Sequence, residues 1–209
     1  MSQTTKVRPI EISLNSIWML QPEYKGIRRS LENKGYTLRE QTRGILVVIA
    51  SKGSIEIFVN PERRVLGIGS ETSSKDLLVA YEDLDQAFLE VGMEPSNLMF
   101  VEFVGTFMVE SVSSPLGELC KLKFENDLLA KIGVVLEKEL ATIGLSLALK
   151  GANPTESNWL HLFIEPLYPS ANKNYKVRVI CRGNKDEVVN FVKTIEKRIP
   201  KIIDKIEGT

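Results

Sequence analysis

The chain is poor in the residues that carry most catalytic and metal chemistry. It holds one histidine, His161, and two cysteines, Cys120 and Cys181. A single imidazole excludes a metal centre built on several histidines, and the two cysteines form neither a CxxC nor a zinc-ligand spacing. They read as buried or half-buried thiols in a reducing compartment, so a cytoplasmic protein is expected. No window reaches the roughly 18 uncharged apolar residues of a membrane span, and Met1 to Pro9 is polar, without the apolar stretch of a signal peptide. An excess of one charge is also missing. Lys plus Arg is 27 and Asp plus Glu is 27. Polyanion binding rests on phosphate neutralisation, so tight general nucleic-acid binding is not expected.

What is present is ordinary globular composition, 43% apolar and 26% charged over 209 residues, enough for one sizeable core or two small ones. The apolar pattern then sets the elements. Ile10 to Leu20 reads as a strand. Pro22 stands at a helix start, Tyr24, Ile27 and Leu31 recur at helical spacing, and Gly35 ends the helix. A polar strand at 36–42 and apolar strands around 45–50, 55–59 and 65–68 form a meander. Ser73 caps the next helix with Asp76 as reciprocal partner. Leu77, Tyr81, Leu84, Phe88 and Val91 mark its apolar face, and Gly92 stops it.

The second half repeats this order. Leu98 to Val112 is strand-like, interrupted at Gly105, and Ser114-Pro115 opens a helix that becomes regular after Asn126. Leu129, Ile132, Leu136, Leu140 and Ile143 predict a long buried stripe, with Gly133 inside it. Strands follow at 145–149, 159–164 and 175–181. Asn184 and Glu187 cap a last helix carrying Val188, Val192, Ile195, Ile199, Ile202 and Ile206, with a bend or a new helix expected at Pro200. The predicted fold class is α+β: two similar halves, 8–94 and 95–209, each strand–helix–antiparallel strands–helix, sharing one curved antiparallel sheet with helices on one side. Joining the halves covers a sheet edge that each would otherwise expose.

The junction reads YEDLDQAFLEVGMEPSNLMFVEF: helix, Gly92, Pro95, then an apolar strand. With the duplicated element order, this resembles the TATA-box-binding-protein family. The resemblance implies that family's fold. Its base-wedging phenylalanine pairs and basic concave face are not matched here: Phe58 and Phe163 lie in strands without a paired context.

Candidate sites follow from charge and glycine. Residues 25–64 hold nine Lys or Arg against four acidic residues, whereas 71–94 hold seven acidic residues and one Lys. Arg28, Arg29, Arg39, Arg43, Arg63 and Arg64 are therefore the candidate anion or partner patch, to be neutralised within the fold or used against an acidic partner. The stretch Arg63 to Ser74 reads as strand, Gly-rich turn and helix start, where backbone amides can hold an anion, but it lacks GxGxxG and a P-loop Lys. His161, in WLHLFIE, shares a strand side with Trp159, Phe163 and Glu165 and reads as a packed, hydrogen-bonded residue. The loops GANPTES (151–157) and PLYPSANKN (166–174) flank its strand.

No nucleophile, carboxylate pair or protease, kinase, glycosidase or deaminase signature accompanies these features. The expectation is a binding or scaffold protein acting through protein–protein contacts or as a homo-oligomer, with no catalytic residue, cofactor or metal. The alternative is nucleic-acid binding by the concave sheet or the arginine-rich first half, and third comes an enzyme of unrecognised type.

Overall fold

The computed structural model describes residues 6–122 and 128–208. Among these residues nine antiparallel strands form a single sheet in the order β2-β3-β4-β5-β1-β6-β9-β8-β7. The first strands are β1 (Val7–Trp18), β2 (Thr37–Arg43), β3 (Leu46–Lys52), β4 (Ile55–Asn60) and β5 (Val65–Ser70). They are followed by β6 (Leu98–Glu110), β7 (Leu145–Ala148), β8 (Trp159–Pro166) and β9 (Asn174–Gly183). Five helices are described: α1 (Tyr24–Asn33), α2 (Ser74–Glu90), α3 (Pro115–Cys120), α4 (Leu128–Leu136) and α5 (Lys185–Glu207). No helix of the described residues is long and apolar enough to cross a membrane.

Strand alternation sorts the side chains into two faces. Ile12 and Leu14 of β1, Phe103 and Phe107 of β6, and Val177 and Val179 of β9 are fully or almost fully buried. They join Ile27 and Leu31 of α1, Leu77 and Leu84 of α2, Leu119 of α3 and Val188 to Ile203 of α5 in one core. Burying an aliphatic side chain of this size contributes roughly 1.5–3 kcal/mol. This layer therefore sets where the sheet lies, and the alternate residues face the other way.

Local signals explain most element ends. The Asn184 side chain accepts from the Glu187 amide at 3.0 Å while the Glu187 carboxylate reaches back to the Asn184 amide, a complete capping box. At α2 the box is incomplete. Ser73 accepts from the Asp76 amide at 3.1 Å, but the Asp76 carboxylate takes the Ser73 and Thr72 hydroxyls. Aspartate is one methylene shorter than the glutamate that normally closes such a box. Glu23, not Pro22, caps α1, and Pro22 lies one residue before the cap.

Three expectations are corrected. β6 runs unbroken through Gly105, where an added Cβ would come within 2.7 Å of the Phe103 and Phe107 rings; the glycine makes room for them. No new helix starts at Pro200, because α5 continues through it as one helix, and the stripe beyond it stays packed, with Ile203 buried. The stripe from Leu129 to Ile143 is neither one helix nor buried. α4 ends at Leu136, Glu137 takes a positive φ of 53°, and Ile132, Leu136, Leu140 and Ile143 are exposed. Gly133 permits the reversal: its carbonyl accepts from the Lys138 amide at 3.0 Å, and a Cβ there would meet the Lys138 carbonyl. The expected helix start after Asn126 lies outside the described residues.

Candidate binding surface on the sheet face opposite the core

The face turned away from the core carries Ser13, Asn15 and Ile17 of β1, Phe58 of β4 and Phe100 and Glu102 of β6. By the pairing register it continues outward through Arg178 and Arg182 of β9 and Trp159, His161 and Phe163 of β8. A cavity of about 630 Å³ opens here, lined by residues from β1, β3, β4, β5 and β6 together with Arg43 of β2 and Arg182 of β9. In a flat sheet β2 and β9 would stand about 29 Å apart, six strand spacings. Both reach one cavity wall, so the sheet curls toward this face.

Arg182 is the most heavily tied side chain on the surface. Its Nε donates to Glu102 Oε2 at 3.0 Å, and its Nη1 donates to the carbonyls of Pro154 at 2.8 Å and Glu156 at 3.1 Å. Its guanidinium lies 5.0 Å from the centre of the Phe100 ring. Arg182 and Glu102 are direct cross-strand partners, and their side chains are only 18% and 21% exposed, so water screens this pair less than it would a surface pair. The loop 151–157 is thereby pinned to the rim of the face.

The same matching recurs. Arg43 makes a bidentate contact with Glu56, at 2.6 and 2.9 Å, across β3. Lys176 and Glu165 are cross-strand partners at 3.0 Å. Three of the cations on this face are thus answered by carboxylates, and aromatic rings stand among them. Asn15 is almost completely buried in the cavity floor, and its Oδ1 has no hydrogen-bond donor among the described residues.

The six arginines singled out by the sequence occupy several places. Arg43 and Arg63 line the cavity. Arg28 and Arg29 lie on α1, with Arg28 bonded to Glu40 of β2 at 3.4 Å and Arg29 exposed. Arg39 is exposed on the edge strand β2. Arg64, in the turn before β5 with φ 54°, donates to the Met19 carbonyl. Part of the charge asymmetry is settled within the fold. Lys34 bonds Glu90 at 3.2 Å and Lys185 bonds Asp85 at 2.6 Å, both on α2. Hydrogen bonds from Ser30 and Lys34 hold the Glu90 carboxyl below its ordinary value.

The remaining candidates resolve plainly. Gly67 and Gly69 lie inside β5 and not in a turn, and the amide of Ser74 at the α2 start already donates to the Glu196 carboxylate at 2.9 Å. An anion there would meet both Glu196 and Asp76. His161 Nε2 bonds the Ser146 hydroxyl at 2.8 Å, and its ring lies 6.2 Å from that of Trp159. Both cysteines are free. Cys120 is exposed, against the expectation of burial, because it ends the short helix α3; Cys181 is half-buried, and burial pushes its thiol up to about 11. Among the described residues no group of three or more His, Cys, Asp or Glu is placed to hold a metal ion.

Sequence reasoning missed Arg182, Glu102 and Glu56. The alternation of YKVRVICR does carry a signal, because Arg178 and Arg182 share parity with Lys176. Their acidic partners lie on other strands, and only the pairing register reveals them. No family model matches the chain, and no curated protein matches it.

Proposed function

We propose that the chain is a non-enzymatic binding protein that takes an extended segment of a protein partner across the curled face of the sheet opposite the core. The observation that carries this reading is the pairing of three cations on that face with carboxylates, Arg182 with Glu102, Arg43 with Glu56 and Lys176 with Glu165, around Phe58, Phe100 and Phe163. Aromatic and arginine anchors with balanced charge suit a protein surface. A phosphate backbone calls for uncompensated cations. Asn15 Oδ1 adds an acceptor that a donor from the bound segment would satisfy.

The nucleic-acid reading is favoured by one feature, the set of rings from Trp159, His161 and Phe163 beside Arg178, to which bases can stack. One experiment separates the two. A displayed library of extended peptides is selected against the full chain, and labelled duplex and single-stranded oligonucleotides are titrated in parallel up to about 0.15 M salt, where exposed charges are screened. The expected result is mixed-charge peptides whose binding is lost in Phe100→Ala and Arg182→Ala, and no sub-micromolar oligonucleotide binding. Oligonucleotide binding that survives the salt and falls with Arg178→Ala would overturn the proposal, as would a library that returns nothing sensitive to Phe100.

The same reading includes a cytoplasmic location and two similar halves, 8–94 and 95–209, in a fold similar to the TATA-box-binding-protein family. The two halves are supported by the strand order. β1 and β6 are central neighbours, and from them β5, β4, β3 and β2 run outward on one side and β9, β8 and β7 on the other, each in reverse chain order.

A further inference from the structure

The two edges of the sheet are built differently. β2, at one end, reads TLREQTR and carries Arg39, Glu40 and Arg43, the charges with which natural edge strands discourage pairing. β7, at the other end, reads LSLA, with no charge and no proline, and among the described residues pairs on one side only, with β8. The chain leading into β7 is as unprotected as the strand itself. Val134 and Val135 are 79% and 80% exposed, and Leu136, Ile143 and Leu147 are exposed as well. Residues 128–149 hold half of the exposed large apolar side chains of the described residues in about a tenth of the chain. No α4 side chain joins the core. Scattered apolar side chains need no explanation, but this concentration beside an open edge does.

We propose that residues 128–149 form a self-complementary interface with a second copy of this chain, in which β7 pairs antiparallel with β7 of that copy. Three observations select this occupant. The free main-chain groups of β7 need an extended strand, and a two-fold axis normal to the sheet supplies one of identical sequence in antiparallel sense. With the axis placed at Leu147, the Leu147 side chains of the two copies stand beside each other on the core-facing side, because Leu147 shares its face with its partner Leu162. The segment is also electrically balanced, with Lys131 and Lys138 against Glu137 and Glu139, so a copy meets no net repulsion. An anionic lipid surface finds no basic excess to attract it. Finally, the segment's length falls within the roughly 20–30 residues a side that a standard interface engages.

Sedimentation velocity of the full chain from about 1 to 100 µM, a range that brackets ordinary association constants, tests the proposal. Wild type is expected to sediment as a discrete dimer, at twice 23.5 kDa. Leu147→Lys and Val135→Glu should each return the monomer, because they place a charge in the pairing seam or the apolar patch. Gln41→Leu on the opposite edge should leave the dimer intact. Far-UV circular dichroism confirms that the variants are folded, and Val135 lies outside the core. A wild-type monomer across the whole range overturns the proposal. So does a dimer indifferent to both variants, an open-ended series of larger species, or binding of the monomer to anionic vesicles that Val135→Glu abolishes.

Discussion

Gly105→Ala offers a direct test of how the centre of the sheet is packed. A glycine inside a strand ordinarily costs about 0.5–1 kcal/mol relative to alanine, so the substitution alone would stabilise. At Gly105 the new methyl would lie within 2.7 Å of the Phe103 and Phe107 rings, whose centres are 6.5 Å apart, and both side chains are fully buried. Overpacking of a filled core costs about 1–3 kcal/mol, because displaced rings leave their rotamer wells or push the backbone. The two effects oppose each other, and the steric one is larger, leaving a net loss of about 1–2 kcal/mol. For a chain of this length that lowers Tm by roughly 2–8 °C. Gly69→Ala is the internal control, since its nearest new neighbours lie at 3.7 and 4.0 Å, an ordinary contact. It should leave Tm unchanged or raise it. Differential scanning calorimetry of both variants reads the difference. A Gly105→Ala protein at least as stable as wild type, with Gly69→Ala behaving alike, would refute the claim that Gly105 is there to seat the two rings. The double variant Gly105→Ala with Phe107→Leu should lose less than the sum of the single losses, as expected for groups in contact.

Two further outcomes follow from the same packing. The Cys120 thiol should react with an aromatic disulfide reagent at once at pH 8, whereas Cys181, half-buried with its thiol pushed up to about 11, should react only slowly until denaturant opens the sheet; equal rates in the native protein would contradict the placement of β9. Burial raises the Tyr81 phenol to about 12, opposed by its bond to the Ser16 hydroxyl and aided by Asp85, so its folded value lies above its unfolded one. Its contribution is therefore fully present below about pH 10 and is lost as pH rises toward 12, a change on the order of 2–3 kcal/mol. Tyr81→Phe should flatten urea stability against pH in that window and cost about 1 kcal/mol at neutral pH; an unchanged alkaline slope would sink the assignment.

The local signals were legible in the sequence because their causes lie within a few residues. The Asn184–Glu187 capping box, the Ser73 cap, the alternation of β9 and the buried stripes of α2 and α5 all follow from spacing along one element. So does the sequence of nine strands and their helices, apart from the apolar run after Asn126, where helical periodicity continued past the point at which Gly133 and Glu137 turn the chain. Periodicity states which residues can share a face. It does not state whether anything covers that face, and here α4 contributes no side chain to the core.

The binding surface belongs to the other class of property. Residue counts placed an arginine-rich stretch at 25–64, yet only Arg43 and Arg63 of its six candidates reach the cavity. Their neighbours there, Phe100, Glu102 and Arg182, come from the far half of the chain. What joins them is the pairing of β1 with β6 and of β6 with β9, contacts between residues 64 to 102 positions apart, from Glu110 with Asn174 to Val7 with Val109. Composition and spacing determined the elements, the core-facing side of most of them and the balance of charge. The order of strands, the curl that gathers both halves onto one cavity and the exposure of one sheet edge were decided by long-range hydrogen-bond register, which no local pattern encodes.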